Sequence, residues 1–120
     1  MNYQSPATGC EISCVMHGIN NKLLNNNKKL EGILLKALKK ERFRILGKVA
    51  HQFQPRGYTL VILLAESHVS IHTYPEYNSL FFYLYSCRGK NDGIKTYEFV
   101  KSKLKPVSVD FNKREIKVRN

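Results

Sequence analysis

An α+β fold is what the sequence predicts: a two-layer sandwich, an antiparallel-rich sheet with two helices on one face, in the order β-α-β-β-β-β-α-β. Three observations predict it. Residues 28–41 place Leu30, Ile33, Leu34, Ala37 and Leu38 at i, i+3, i+4, i+7 and i+8, the single apolar stripe of a surface helix. Residues 93–104 do the same with Ile94, Tyr97, Val100 and Leu104. The stretches between and around them read as strands punctuated by turn residues. Helices segregated to one face of an antiparallel sheet are a standard way to bury both sets of apolar side chains.

Taken in order, residues 1–9 are a lead-in with Pro6 and Gly9, and residues 10–17 alternate loosely as a strand ending at Gly18. The Asn-rich segment 20–27 is loop and helix entry, since asparagine favours turns and caps. In the helix 28–41, Lys29, Lys36, Lys39 and Lys40 take the side away from the stripe, and the lysine-rich end suits the negative end of the helix dipole. Residues 43–53 form a strand carrying Phe43, Ile45 and Val49, with a break at Gly47. Gln54-Pro55-Arg56-Gly57 is a turn. Residues 58–65 are apolar on both faces and read as a central strand buried above and below; with 43–53 they make a hairpin.

Residues 68–72 alternate strictly, Val69 and Ile71 on one face, His68, Ser70 and His72 on the other. Pro75 breaks the pattern because it cannot donate to a ladder. Residues 79–87 return to strand, 88–93 form a loop, and Pro106 ends the second helix. Val107, Val109 and Phe111 give a last strand before a basic tail.

The 120 residues fit one domain, 42% of them apolar, with no apolar run of the roughly 18–20 residues that span a membrane. The N-terminus does not read as a signal peptide, so a cytoplasmic location is expected. A chain this small buries a modest share of its surface, which favours association with a second copy. The net charge of +11 raises the question of an acidic partner. The lysines are spread over helix faces and tail instead of being gathered with aromatics into one module, so a solvated basic surface is expected and nucleic acid is not. Three cysteines, Cys10, Cys14 and Cys87, argue against a disulfide framework. Cys10 and Cys14 share a strand face near His17, but no second ligand pair has zinc spacing, and no metal is expected.

Chemistry concentrates in residues 65–76, which hold Glu66, Ser67, His68, His72, Tyr74 and Glu76. Ser67 lies where one strand stops and the next begins. Its odd spacing to His72 points the two to opposite faces of an unbroken strand, so their cooperation asks for a turn or bulge at Ser67. A serine in a strained turn can attack the carbonyl of its own preceding peptide bond; alternatively it hydrogen-bonds its own backbone. His72 suits acid–base work near neutral pH, or serves as a satisfied histidine on a strand face. Cys87 is buried by pattern, either a small core hydrophobe or a thiol able to exchange a proton.

The run Ala-Glu-Ser-His-Val-Ser-Ile-His-Thr-Tyr-Pro-Glu-Tyr (65–77) resembles the processing motif of the prokaryotic S-adenosylmethionine decarboxylase proenzymes. His51-Gln-Phe-Gln-Pro-Arg-Gly-Tyr-Thr59 is similar to that family's His-x-Phe-x-Pro-x-Gly-x-Ser/Thr segment, and Cys87 follows Ser67 at the spacing of its catalytic cysteine. The resemblance covers about residues 9–118. It implies a proenzyme that cuts itself between Glu66 and Ser67 by an N→O acyl shift and β-elimination. The products would be a β chain, 1–66, and an α chain, 67–120, that begins with a pyruvoyl group made from Ser67. It implies that His72 assists proton removal in processing, that Thr59 supports processing, and that Cys87 protonates the substrate carbon after decarboxylation. The pyruvoyl carbonyl would form a Schiff base with the substrate amine and act as electron sink. The resemblance further points to Phe53 and Tyr74 as aromatic faces for adenine, to Glu76 for the ribose, and to a homodimer with its sites near the subunit interface.

This sequence departs from the family where Tyr74 stands for the usual Trp, where Gly9-Cys10-Glu11 replaces Gly-Arg/Lys-His, and where Ser86-Cys87-Arg88-Gly89 replaces Thr-Cys-Gly. Decarboxylation of S-adenosylmethionine for polyamine synthesis is the expected activity. The same chemistry on arginine or ornithine, and a processing-dead basic nucleic-acid-binding or regulatory protein, are the alternatives.

Overall fold

Ten residues of strand, Thr8–His17 (β1), open a fold whose later strands are Ile45–Gln52 (β2), Tyr58–Leu64 (β3), Ser67–Tyr74 (β4), Ser79–Ser86 (β5) and Ser108–Lys117 (β6). The computed structural model describes residues 3–119, so Met1 and Asn2 of the predicted lead-in lie outside the described residues. The strands form one sheet in the order β2-β3-β4-β5-β1-β6, with every neighbouring pair antiparallel. Three successive hairpins therefore carry the chain from β2 to β5, and β1 closes the gap to β6.

The helices are α1 (Asn21–Leu24), α2 (Asn27–Lys40) and α3 (Ile94–Leu104). The predicted α+β sandwich is what forms, with one helix more than expected, because the Asn-rich segment does more than link. The Asn20 side chain accepts from Leu23 N and caps α1, and Asn26 accepts from Lys29 N and caps α2. Each cap gives a partner to a backbone N–H that the first helical turn leaves open.

One core lies between sheet and helices. Leu30, Leu34, Ala37 and Leu38 of α2 and Tyr97, Val100 and Leu104 of α3 pack on Ile12, Met16, Leu60, Ile62, Phe82 and Leu84. Fully burying a side chain of this kind is worth about 1.5–3 kcal/mol. Cys10 and Cys14 belong to this core, and their thiols are pushed up by burial, Cys14 to about 12.

Two strand expectations need correction. Residues 58–64 are not buried on both faces. Tyr58, Leu60, Ile62 and Leu64 point to the helices, whereas Val61 is half-buried and Leu63 is 55% exposed on the other face. That open face is the sheet side without helices. The basic tail is not a tail either. Lys113, Arg114 and Lys117 continue β6, because β1 offers a full backbone ladder from Thr8 to His17. Charged side chains on an edge strand discourage further pairing. Among the described residues no helix is long and apolar enough to cross a membrane.

Candidate active site

The β3–β4 turn is only two residues, Ala65 and Glu66, and it is tight enough to hold Glu66 at φ +70°. A non-glycine residue in this left-handed region carries about 1–2 kcal/mol of strain. Ala65 N donates to Arg44 O at 2.9 Å, which pins the turn to the chain entering β2. The Tyr3 hydroxyl donates to Glu66 Oε2 at 2.9 Å. Nothing in the sequence signals this contact, since 63 residues separate the pair.

Ser67 follows at the start of β4, between Leu64 and Ser86 in the sheet. It is 7% exposed, and its Oγ has no hydrogen-bond partner among the described residues. Buried hydroxyls are nearly always bonded, so an orphaned one beside a strained peptide needs an explanation. A hydroxyl that is not committed elsewhere is what conversion of Ser67 to a pyruvoyl group requires, so the residues present fit that group.

Cys87 lies one residue past Ser86, the β5 partner of Ser67. It is half-buried, not buried as its pattern predicts. The alternation is kept, but it points Cys87 to the open face with Tyr85 instead of into the core. The Tyr85 hydroxyl is raised by its hydrogen bond with Cys87 and by burial. A β carbon on Gly9 would come within 2.4 Å of that hydroxyl, so the glycine at the head of β1 makes room for it. Arg88, one of the departures noted above, stacks on the Phe43 ring at 3.7 Å and forks onto Asp92. It also donates to the carbonyls of Glu41 and Arg42, tying the residue after Cys87 to the end of α2. Ser86 Oγ donates to Asp92 in the same network.

The remaining candidates gather at the other end of β4. Thr59 and His72 are opposite one another in the sheet, with Thr59 Oγ1 2.5 Å from His72 Nδ1. The His72 ring is 4.9 Å from Tyr74 and 6.0 Å from Phe53, and Phe53 meets His51 edge-on at 4.6 Å. Phe53 and Tyr74 are each 42% exposed, so their rings offer open faces. Phe53 N bonds Gly57 O at 2.8 Å, and Gly57 takes a φ of +111° to close the loop. Glu76 sits exposed in the single 3-10 turn Pro75–Tyr77. Asn21 anchors that turn, donating to Pro75 O and Asn78 Oδ1.

The structure thus brings Glu66, Ser67 and Cys87 to one end of the sheet, Ser67 facing the helices and Cys87 the open face, and gathers Thr59, His72, Phe53 and Tyr74, with Glu76 beside them, at the other. It does not join them. The expected turn is present, but it precedes Ser67, and β4 runs without a bulge from Ser67 to Tyr74. Ser67 therefore faces the helices and His72 the open face, five residues apart, about 16 Å along a strand. His17 is turned away from Cys10 and Cys14 and pairs with Asp110 at 3.0 Å, so those three do not form a common site.

A family model described as S-adenosylmethionine decarboxylase matches residues 11–115. The S-adenosylmethionine decarboxylase proenzyme of Picrophilus torridus is 30% identical over 109 residues, covering 91% of this chain and 84% of that protein. The proenzyme of a Sulfurihydrogenibium species is 35% identical over 102 residues, 85% of this chain and 77% of that one. The crystal structure of the adenosylmethionine decarboxylase from Aquifex aeolicus superposes with a TM-score of 0.87 at 25% identity, covering 97% of this chain and 96% of that one. Neither the arginine or ornithine reading nor the processing-dead reading gains support from these likenesses.

Proposed function

The chain belongs to the S-adenosylmethionine decarboxylase family, and from that premise we propose that it is a self-processing, pyruvoyl-dependent decarboxylase of S-adenosylmethionine, supplying the aminopropyl donor for polyamine synthesis. The observation that carries the reading is the orphaned, buried Ser67 hydroxyl directly after a left-handed Glu66. In processing, Ser67 Oγ attacks the Glu66 carbonyl; the C–O bond forms as the C–N bond breaks, and the Ser67 amine is released. Loss of the Ser67 Cα proton and the Cβ–O bond then separates residues 1–66, ending in a carboxylate, from 67–120, which begins with dehydroalanine; its imine tautomer takes up water and releases ammonia to give the pyruvoyl carbonyl. Strain at Glu66 favours leaving the starting peptide.

The pyruvoyl group supplies an electrophilic carbonyl for the substrate amine and a sink for the electrons left when carbon dioxide departs. Cys87, half-buried beside residue 67, holds the proton for the substrate carbon. Phe53 and Tyr74 present aromatic faces to the adenine, and Glu76 presents a carboxylate to the ribose hydroxyls. His72, hydrogen-bonded to Thr59, removes the Ser67 Cα proton during the elimination.

With Ser67 and His72 about 16 Å apart, that last role is filled from a second copy. The open face supports this. Val49 and Leu63 are exposed there, and Val15, Val61, Phe81 and Tyr83 only half-buried, an apolar sheet face that its own helices do not cover. Two such faces packed with their strands reversed about a twofold axis bring the end of one copy's sheet that carries the Glu66–Ser67 peptide and Cys87 to the other copy's Thr59, His72, Phe53 and Tyr74. The proposed protein is a homodimer with two composite sites.

The activity is tested by release of labelled carbon dioxide from carboxyl-labelled S-adenosylmethionine, arginine and ornithine, each offered to the processed protein. Turnover of S-adenosylmethionine alone is expected. Turnover of arginine or ornithine in its absence overturns the substrate assignment.

A further inference from the structure

The lysines of the helix layer are arranged, not scattered. Lys29, Lys36 and Lys40 recur along one side of α2, and Lys95, Phe99 and Lys103 along one side of α3. Lys29, Lys36 and Lys103 line the groove between the two helices, and Lys40 and Lys95 line a second cavity between the end of α2 and the start of α3. Phe99 and Ile33 floor the groove. The ammonium groups of Lys36, Lys40 and Lys103 stand 5.9, 5.5 and 5.4 Å from the centre of the Phe99 ring.

None of these three lysines is ion-paired among the described residues. Of the nearby carboxylates, Glu98 lines a different cavity with Lys101 and Lys105, and the others are engaged elsewhere. Glu31 binds Lys48 at 2.6 Å, Glu41 accepts from Gly93 N and from Thr96, and Asp92 pairs with Arg88. Three cations drawn to one ring without a counter-charge repel one another, and an anion between them offsets that repulsion.

We infer that the α2–α3 groove binds single-stranded nucleic acid, the lysines following successive phosphates and the Phe99 ring taking a base. A row of cations running the length of a 14-residue helix, about 21 Å, matches a repeating polyanion better than a single small one. An aromatic ring on the groove floor offers a stacking surface to a base. It is recessed between lysines, whereas insertion into a lipid surface needs apolar side chains that project. Composition alone favours a solvated basic surface; the convergence on Phe99 is the reason to go further. The groove lies on the helix side of the sheet, away from the open face that carries His72, so a bound strand leaves the proposed dimer face free.

The test is fluorescence anisotropy of a labelled oligouridylate about twelve nucleotides long with the full-length protein. Binding that weakens steeply with salt is expected. The pair Lys36→Gln/Lys103→Gln should weaken it by about tenfold, and the control pair Lys117→Gln/Arg119→Gln, which removes the same charge, by less than about twofold. Phe99→Leu, which keeps the packing, should weaken oligonucleotide binding severalfold and leave binding of inorganic polyphosphate, which has no bases, unchanged. Unaltered decarboxylation by each variant checks that the fold is intact. No binding at low salt, or equal losses from the two pairs, overturns the proposal. So does an unaffected Phe99→Leu, or equally tight binding of polyglutamate or of phosphatidylserine vesicles.

Discussion

Ser67 and His72 share one unbroken strand and face opposite sides of the sheet: Ser67 lies under the helices, and His72 lies on the open face with Thr59. A composite site therefore predicts complementation. Neither Ser67→Ala nor His72→Ala should process on its own. Co-expressed, the two variants form mixed dimers in which the chain with Ser67 intact meets an intact His72 on its partner. Intact-mass analysis should find the His72→Ala chain cut and the Ser67→Ala chain whole. If the His72→Ala chain stays uncut in mixed dimers, the site is confined to one chain.

Glu66 stands at φ +70°, where only glycine is unstrained. In a Ser67→Ala background, which prevents cutting, Glu66→Gly should raise unfolding free energy by about 1 kcal/mol. Denaturant titration reads this directly. With Ser67 present, the same change should slow processing, because the peptide bond starts from a relaxed conformation.

Arg88 is a clamp that a lysine cannot copy, since it stacks on Phe43 while forking onto Asp92 and two backbone carbonyls. Arg88→Lys keeps the charge and loses the fork and the stack. A loss of about 1–3 kcal/mol in stability is expected, by analogy with breaking charged hydrogen bonds. Slower turnover should accompany it, since Arg88 directly follows Cys87, the proposed proton donor.

The three thiols should differ sharply. Cys10 and Cys14 are buried and pushed up by that burial, while Cys87 is half-buried on the open face. A disulfide reagent at neutral pH should modify one thiol in the native protein and three after unfolding. Bound S-adenosylmethionine should protect the reactive one.

The Cys14 thiol also gives a pH dependence. It ionises near its ordinary value of 9.0 in the unfolded chain and near about 12 in the fold, because burial disfavours the thiolate. The folded value is the raised one, so its contribution is complete below pH 9 and lost as pH rises towards 12. Thermal unfolding followed from pH 8 to pH 12 should decline less steeply for Cys14→Val than for the parent.

Much of this molecule is legible in its sequence where local pattern and packing agree. The stripe Leu30-Leu34-Ala37-Leu38 is the buried face of α2, and the alternation of residues 68–72 separates core from open face as read. Legibility fails where the deciding partner is distant. Val61 and Leu63 read as doubly buried because they are apolar, and residue type alone does not say which face of a strand the helices cover. The extension of β6 through Lys117 carries no apolar alternation, and the β1 ladder alone reveals it. Arg88 looks like a loop residue until Phe43 and the end of α2 arrive beneath it. At the site, spacing shows that Ser67 and His72 oppose one another. It does not show that the chain leaves them so.

Residue 67 is proposed to become the reactive group of an S-adenosylmethionine decarboxylase. The most direct test is to reduce the purified protein with a hydride donor in the presence of S-adenosylmethionine and weigh the chains. The expected products are a β chain of residues 1–66 with unaltered mass and an α chain of 67–120 that gains one reduced substrate-derived adduct at its first residue. A single uncut chain of 1–120, or a cut α chain that begins with an unmodified serine and gains nothing, would contradict it.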